Sequence, residues 1–169
     1  MSCHPRVTAW STIIHTHLPH LTKPQVTVLA LWSLGMVLAR SCALTAVSVF
    51  LATWLHRKED AVRQQLREFC YETTAKRGTA RHELGVETCF VPLLAWVVGQ
   101  WEGTQLALAL DATTLGTRFT VLALSVVYRG CAIPVAWTVL AATAKHAWRR
   151  EWLRMLRQVR RAIPRAWTV

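Results

Sequence analysis

The sequence predicts an α+β protein in which a helical region precedes a three-stranded antiparallel sheet and a long basic helix. Apolar residues recur at helical spacing through much of the first half, but the period changes to two between Thr104 and Asp111. Turn residues separate two further runs rich in Thr, Val and Leu, and the short connections favour an antiparallel meander. A segment with large apolar residues at every third or fourth position follows, which is typical of an amphipathic helix.

The composition indicates a folded, basic protein. Hydrophobic residues make up 53% of the 169 residues, which argues against intrinsic disorder. The formal net charge is +11, because 20 Lys and Arg stand against 9 Asp and Glu, and this favours a polyanionic partner such as nucleic acid or an anionic membrane surface. The five cysteines are scattered without a Cys-x-x-Cys pair. We therefore expect reduced, buried thiols in a cytoplasmic protein rather than a disulfide framework.

We divide the chain into four segments by composition. A His-rich lead-in, expected to be flexible, precedes an apolar helical domain. A polar, basic linker that contains Gly78 then leads into the region with the sheet. The expected bounds are 1–21 for the lead-in, 22–75 for the helical domain, 76–87 for the linker and 88–169 for the last domain.

The helical domain opens with a recognisable start signal. Thr22 suits the cap position, Pro24 suits the first turn, and Gln25 lies three residues after Thr22, as a capping box requires. These residues predict a helix from Pro24 to Ala39. Further helices are expected at about 43–54, 58–72 and 88–100.

The apolar stretch from Val26 to Leu55 leaves open a small integral membrane protein as an alternative. The stretch is long enough for one or two passes only if Arg40 is tolerated, since a single pass needs about 20 apolar residues. Helices of this length that are rich in Val, Ala and Thr are more often the core of a small helical domain. We therefore expect nucleic acid rather than a membrane as the partner.

Three strands are predicted for the sheet, and a turn at Tyr128-Arg129-Gly130 joins the second to the third. Pro134 cannot donate a hydrogen bond to a neighbouring strand, so the third strand should lie at a sheet edge. The strands are expected at 104–111, 117–127 and 131–139.

A long helix is expected from Ala142 to Ile163. An apolar stripe runs along one of its faces, and basic side chains line the others, where we expect them to bind nucleic-acid phosphates. For any single arginine, a solvated charged face remains the simpler interpretation. The stripe consists of Trp148, Trp152, Met155 and Val159, and the expected DNA-binding residues are Lys145, Arg149, Arg150, Arg154 and Arg157. Residues 167–169 look like the start of a fourth strand.

One carboxylate stands out in the sheet region. Asp111 is predicted to close an otherwise apolar first strand, where an unpaired charge costs desolvation energy. Three explanations are open: a turn role through backbone hydrogen bonding, pairing with an arginine, or metal binding. Strand position alone favours the turn role.

The order of motifs around this carboxylate resembles a known family. Leu108-Ala109-Leu110-Asp111-Ala112-Thr113-Thr114 is followed by an apolar strand, by Arg129-Gly130 with Pro134-Val135, and by a Trp- and Arg-rich helix. This order resembles the start of the catalytic domain of insertion-sequence transposases of the Asp-Asp-Glu (DDE) class. The resemblance implies a ribonuclease H-like domain over about 88–169. It also implies that Asp111 is the first catalytic carboxylate and a ligand of Mg²⁺, with Thr113 as a neighbour to which no chemical role is assigned.

The resemblance further implies that the ribonuclease H-like unit is truncated and its catalytic site incomplete. The second aspartate of the family, at the end of strand four, and its later glutamate have no counterpart here. We therefore expect a truncated transposase that is inactive alone, binds Mg²⁺ at most weakly, and retains DNA binding. A second hypothesis is a non-catalytic DNA-binding or regulatory protein derived from a transposase, which associates with full-length transposase or with further copies of itself.

Overall fold

The computed structural model describes residues 4–76, 83–144 and 148–169, and it divides into two compact units, Met1–Gly85 and Val86–Val169. The first unit is helical, and the second combines helices with a three-stranded antiparallel sheet. The predicted α+β class is confirmed. Half of the predicted basic linker, residues 77–82, lies outside the described residues.

Unit 1 contains four α-helices within its described residues. They are α1 (Pro5–His17), α2 (Lys23–Ala39), α3 (Leu44–Trp54) and α4 (Glu59–Phe69), followed by a 3-10 turn at Thr73–Ala75. All four helices bury apolar side chains in one core, which includes Val7, Ile14, Ala30, Leu31, Val47, Leu51, Val62 and Leu66.

Helix α1 occupies the segment that the sequence analysis assigns to a flexible lead-in. The Nδ1 atom of His4 accepts a hydrogen bond of 3.2 Å from the backbone N–H of Arg6, which caps the helix start. Val7 and Ile14 are buried seven residues apart, and the indole of Trp10 donates a 2.8 Å hydrogen bond to the Ser33 hydroxyl on α2. The structure therefore differs from the prediction because a few apolar residues at helical spacing anchor this segment.

Helix α2 begins as its sequence signal predicts. The backbone N–H of Thr22 donates a 2.8 Å hydrogen bond to Oε1 of Gln25, which is one half of a capping box. Arg40 ends the helix in the left-handed conformation, with φ 49°.

The described helices give one finding on membrane crossing. None of them is, by itself, both long enough and apolar enough to span a bilayer. Helices α2 and α3 meet the length and composition requirement only as a pair, and the two are bent by 97° at the break between them.

Unit 2 has two α-helices and three strands in its described part. After a 3-10 turn at Val86–Cys89 come α5 (Phe90–Gly99), β1 (Leu108–Leu115), β2 (Phe119–Tyr128), β3 (Cys131–Ala141), α6 (Trp148–Val159) and a 3-10 turn at Arg160–Ala162. The strand order is β1-β2-β3 with antiparallel pairing throughout, so the predicted meander is confirmed.

The β2–β3 hairpin is formed by the turn residues that the sequence supplies. Arg129 and Gly130 both have positive φ, at 48° and 80°, as a two-residue type I′ turn requires. Pro134 lies opposite Ser125, beside a shift of register at Leu124/Ser125. The shift and the edge position of β3 accommodate the missing N–H of proline, as predicted.

Helices α5 and α6 contribute to the core of unit 2 together with the sheet. Alternate residues of β2 are buried there, and the predicted apolar stripe of α6 packs against the same cluster. Fully buried members are Phe90, Leu94, Leu122, Leu124, Val126, Met155 and Val159, and Trp148 and Trp152 pack against them.

Helix α6 is shorter than predicted. The backbone N–H of Ala142 donates to the carbonyl of Arg118 at 2.9 Å, so residues just after β3 still follow the sheet rather than a helix. At the other end, the α-helix stops at Val159 and tightens into the 3-10 turn.

The predicted start of a fourth strand is present as a single parallel bridge between Gln105 and Thr168. The N–H of Leu106 donates to the Thr168 carbonyl at 2.9 Å, and the N–H of Thr168 donates to the Thr104 carbonyl at 3.0 Å. The carbonyl of Ala107 instead accepts from the N–H of Val127 on β2. Because neighbouring residues of an extended segment direct their hydrogen bonds to opposite sides, Thr168 lies beside residues 104–107, which lead into β1, on the side away from β2.

Candidate functional site

Asp111 lies in the middle of β1, not at the end of the first strand as predicted. The strand continues to Leu115 because the β-branched Thr113 and Thr114 maintain the pairing with β2. The chain reverses only at Gly116, which has φ 58°.

The side chain of Asp111 is exposed to solvent. Asp111 pairs with Ala123, whereas its neighbours Leu110 and Ala112 pair with the buried Leu124 and Leu122. Because residues paired across antiparallel strands share a face, the carboxylate lies on the face away from that core. The desolvation cost expected for this carboxylate is therefore absent.

In the part of the chain that the structure describes, the Asp111 carboxylate has one hydrogen-bond partner: the Thr113 hydroxyl donates to its Oδ2 at 2.8 Å. Within residues 4–76, 83–144 and 148–169, no three His, Cys, Asp or Glu side chains are close enough together to hold a metal ion. Mg²⁺ requires near-octahedral oxygen ligation, usually from more than one carboxylate together with waters or substrate phosphates. Asp111 and Thr113 do not fit a resident Mg²⁺ site.

The predicted DNA-binding residues divide into three groups. Arg149, Arg150 and Arg157 are exposed, and in the described part of the chain they have no carboxylate partner. Arg154 is paired with Glu87 and with Glu151, each at 2.8 Å. Lys145 lies outside the described residues.

Arg154 is therefore a structural residue and not an available phosphate ligand. Its ion pair with Glu87 joins α6 to the 3-10 turn that opens unit 2, and its ion pair with Glu151 lies within α6. Arg154 was predicted to bind DNA from its spacing along the helix. That spacing gives no information on its ion pair with Glu87, which lies far upstream in the chain.

One basic residue that the sequence analysis does not include extends the exposed group. Arg161 follows Arg157 by four residues and is also exposed, although it lies in the 3-10 turn. Its place in the run Arg157, Arg160, Arg161 was the signal that could have identified it. We define the arginine face as Arg149, Arg150, Arg157 and Arg161.

The cysteines differ from the prediction of buried thiols. Cys42, Cys70 and Cys131 are exposed, and Cys89 is half-buried. Burial raises the pKa of the Cys89 thiol above its ordinary value, and a weaker hydrogen bond from Thr88 lowers it in part. A raised pKa disfavours the reactive thiolate form of Cys89. Cys3 lies outside the described residues.

Comparisons of this chain with protein-family models, with curated proteins and with solved structures find no match.

Proposed function

We propose that these 169 residues correspond to the N-terminal part of a DNA transposase of the Asp-Asp-Glu class, and that their own activity is DNA binding. The observation that carries the proposal is the path of the chain around the first strand. An antiparallel meander leads into α6, after which Thr168 pairs in parallel with Gln105, which lies just before β1, on the side away from β2. A ribonuclease H-like domain places its fourth strand at this position.

We assign Asp111 as the first catalytic carboxylate of the full enzyme, although it lies in the middle of β1 rather than at the strand end. It lies on the strand beside which the fourth strand would run, and its exposure leaves it accessible to DNA and to ions. Two-metal phosphoryl transfer needs further carboxylates to hold the ions about 3.5–4 Å apart. The chemistry therefore belongs to a larger set of residues than those present here.

The arginine face is the surface that we assign to DNA. Its four guanidinium groups are exposed, and they contribute to a chain with a net charge of +11. Arginine binds phosphate oxygens through two N–H groups at once, and such contacts do not depend on base sequence. Arg154 is excluded from this surface because two carboxylates already neutralise it.

The salt dependence of DNA affinity tests the assignment. Binding of a fluorescent 20-base-pair duplex to the full chain is measured by anisotropy over a range of KCl concentrations. Each lost phosphate contact lowers the slope of log K against log [salt] by about 0.9. The double variant Arg150→Gln/Arg157→Gln should therefore lower the slope by about 2.

Arg154→Gln is the matched control, because it removes the same charge from the same helix. We expect its slope to equal that of the wild type. Equal slopes for the double variant and the wild type, or an equal loss for the control, would show that DNA does not bind to the arginine face.

A further inference from the structure

A cleft lined by aromatic side chains opens in unit 2 between the last turns of α5 and the β2–β3 hairpin. It has a volume of about 290 Å³, and we call it the aromatic cleft. Its walls are Trp96, Val97, Gln100, Trp101, Tyr128 and Ile133. Neither the arginine face nor Asp111 contributes to it.

The aromatic walls of this cleft are held in place before any ligand binds. The indole N–H of Trp101 donates a 2.9 Å hydrogen bond to the carbonyl of Gln105. The Trp101 ring meets Tyr128 edge to face, with the ring centroids 5.2 Å apart. Tyr128 nevertheless keeps 43% of its surface exposed. A large aromatic surface is therefore both ordered and accessible.

A second, more polar cavity of about 560 Å³ adjoins the aromatic cleft, and Trp101 and Tyr128 line both. Arg129 lies on the polar cavity, with its guanidinium carbon 5.2 Å from the centroid of the Tyr128 ring. It forms no ion pair within the described residues. Glu102 is the acidic residue among those that line this cavity. The aromatic cleft therefore lies beside the cationic side chain of Arg129.

We infer that the aromatic cleft binds one unpaired nucleobase and that Arg129 contacts the phosphate next to it. Every base has a π face that stacks on aromatic rings, and arginine is well suited to phosphate. The cleft volume lies at the lower limit of small-molecule sites, about 300–1,000 Å³, which suits a single planar ring system. A quaternary ammonium ligand also binds aromatic side chains, but it would be repelled by Arg129.

This inference extends the proposed function. It rests on that function in one respect, namely that the polymer bound is DNA. The arginine face contacts the backbone of a duplex, whereas the aromatic cleft requires a base that is not paired. The two surfaces can therefore fail independently in the same set of binding assays.

The test uses the full chain and a single-stranded 10-nucleotide DNA that contains 2-aminopurine, whose fluorescence falls when it stacks. Tyr128→Val is expected to weaken binding about tenfold, which is typical of the loss of one base–aromatic stack. Phe119→Val is the matched control. Phe119 lies at the opposite end of β2, is 40% exposed, and has the Arg118 guanidinium 5.2 Å from its ring centroid. We expect it to change affinity less than about twofold.

Arg129→Asn tests the phosphate contact without altering the turn, since asparagine tolerates the positive φ of this position. We expect weaker binding and a salt slope lower by about 0.7, the value for a single-strand phosphate contact. Arg118→Asn should leave the slope unchanged. Glu102→Gln should tighten binding, because it removes a negative charge near the bound phosphate.

Parallel titrations with RNA of the same sequence and with free deoxyadenosine monophosphate distinguish the sources of the base. Tyr128→Phe keeps the ring and should bind like the wild type, which separates loss of stacking from loss of the fold. The inference is overturned if the 2-aminopurine signal does not change on binding, or if the Tyr128 and Phe119 valine variants bind equally. If the Arg150→Gln/Arg157→Gln variant binds the duplex more weakly but the single strand as tightly as the wild type, the aromatic cleft binds its base independently of the arginine face, as inferred.

Discussion

Two charged residues of unit 2, Asp111 and Arg154, were both predicted as site residues, but their contacts in the structure differ. The Asp111 side chain is exposed to solvent and, among the described residues, accepts a hydrogen bond from Thr113 alone. Arg154, which looks like one of several equivalent arginines, connects α6 to Glu87 as well as to Glu151. Strand and helix periodicity predict which face of its element a residue occupies. They do not predict a contact with a residue that lies far away in the sequence.

The exposure of Asp111 gives a prediction at the scale of the residue. Asp111→Asn should change the free energy of unfolding by less than about 0.5 kcal/mol, because the carboxylate is exposed and is not part of the core. The full chain should not nick supercoiled plasmid in Mg²⁺ or Mn²⁺, since one carboxylate cannot hold two ions. Urea unfolding and gel electrophoresis measure the two quantities.

Nicking by the wild type that disappears in the Asp111→Asn variant would contradict this prediction. The asparagine variant is close to the same size as the wild type and keeps an acceptor for the Thr113 hydroxyl. It therefore separates the charge of the residue from its shape.

At the scale of the elements, apolar periodicity predicted the type of most helices and strands but placed several boundaries wrongly. Helices α2 and α3 and strand β2 lie close to their predicted bounds, because each has a long apolar pattern and clear flanking signals. The first strand was predicted to end at Asp111, because a carboxylate normally follows a buried strand rather than interrupting one. This strand is an edge strand with solvent on one face, so the charge costs little and the pairing continues.

Helix α1 was missed for a different reason. Its sequence has weak amphipathic patterning and several His and Thr residues, and its stability depends on α2, against which Val7 and Ile14 are buried. Local propensity does not report such tertiary support. The sequence alone identified Asp111 on the first strand and the arginines of α6 as candidate site residues. The ion pairs of Arg154 and the aromatic cleft became apparent only in the three-dimensional structure.

Packing of α2 against α3 gives a prediction at the same scale. A Cβ added at the buried Gly35 would lie 2.9 Å from Cδ1 of Leu51 and 3.0 Å from Cγ1 of Val47. Overpacking of this kind costs about 1–3 kcal/mol, and the better helix propensity of alanine returns about 1 kcal/mol. We expect Gly35→Ala to lower the free energy of unfolding by about 1 kcal/mol, as measured by urea denaturation.

Gly99→Ala in α5 is the control for this substitution, because no atom lies within 4 Å of the added Cβ. We expect this variant to be as stable as the wild type or slightly more stable. A stabilised Gly35→Ala variant would show that α2 and α3 do not pack this closely in solution.

At the scale of the whole molecule, the sheet of unit 2 is open at its first strand. Between Leu108 and Leu115, no strand of the described chain pairs with the side of β1 away from β2. Leu110 and Leu115 on this strand are 52% and 54% exposed. An apolar edge strand with free N–H and C=O groups is a template for pairing with another chain. This edge is the surface through which we propose that the chain pairs with a second copy of itself or with full-length transposase.

The open edge predicts that the isolated chain self-associates and is poorly soluble. Leu110→Lys should increase the fraction of monomer in sedimentation velocity at equal protein concentration, because a lysine on an edge strand opposes pairing between copies. Val37→Lys is the matched control: it adds the same charge at an apolar position that is 72% exposed, but on α2, which has no free strand edge. Equal gains from both variants would assign the effect to net charge alone. A wild-type chain that sediments as a monomer and unfolds cooperatively would show that the edge of β1 does not pair with a second copy. The isolated chain is sufficient for this test, because such pairing uses only the backbone N–H and C=O groups of β1.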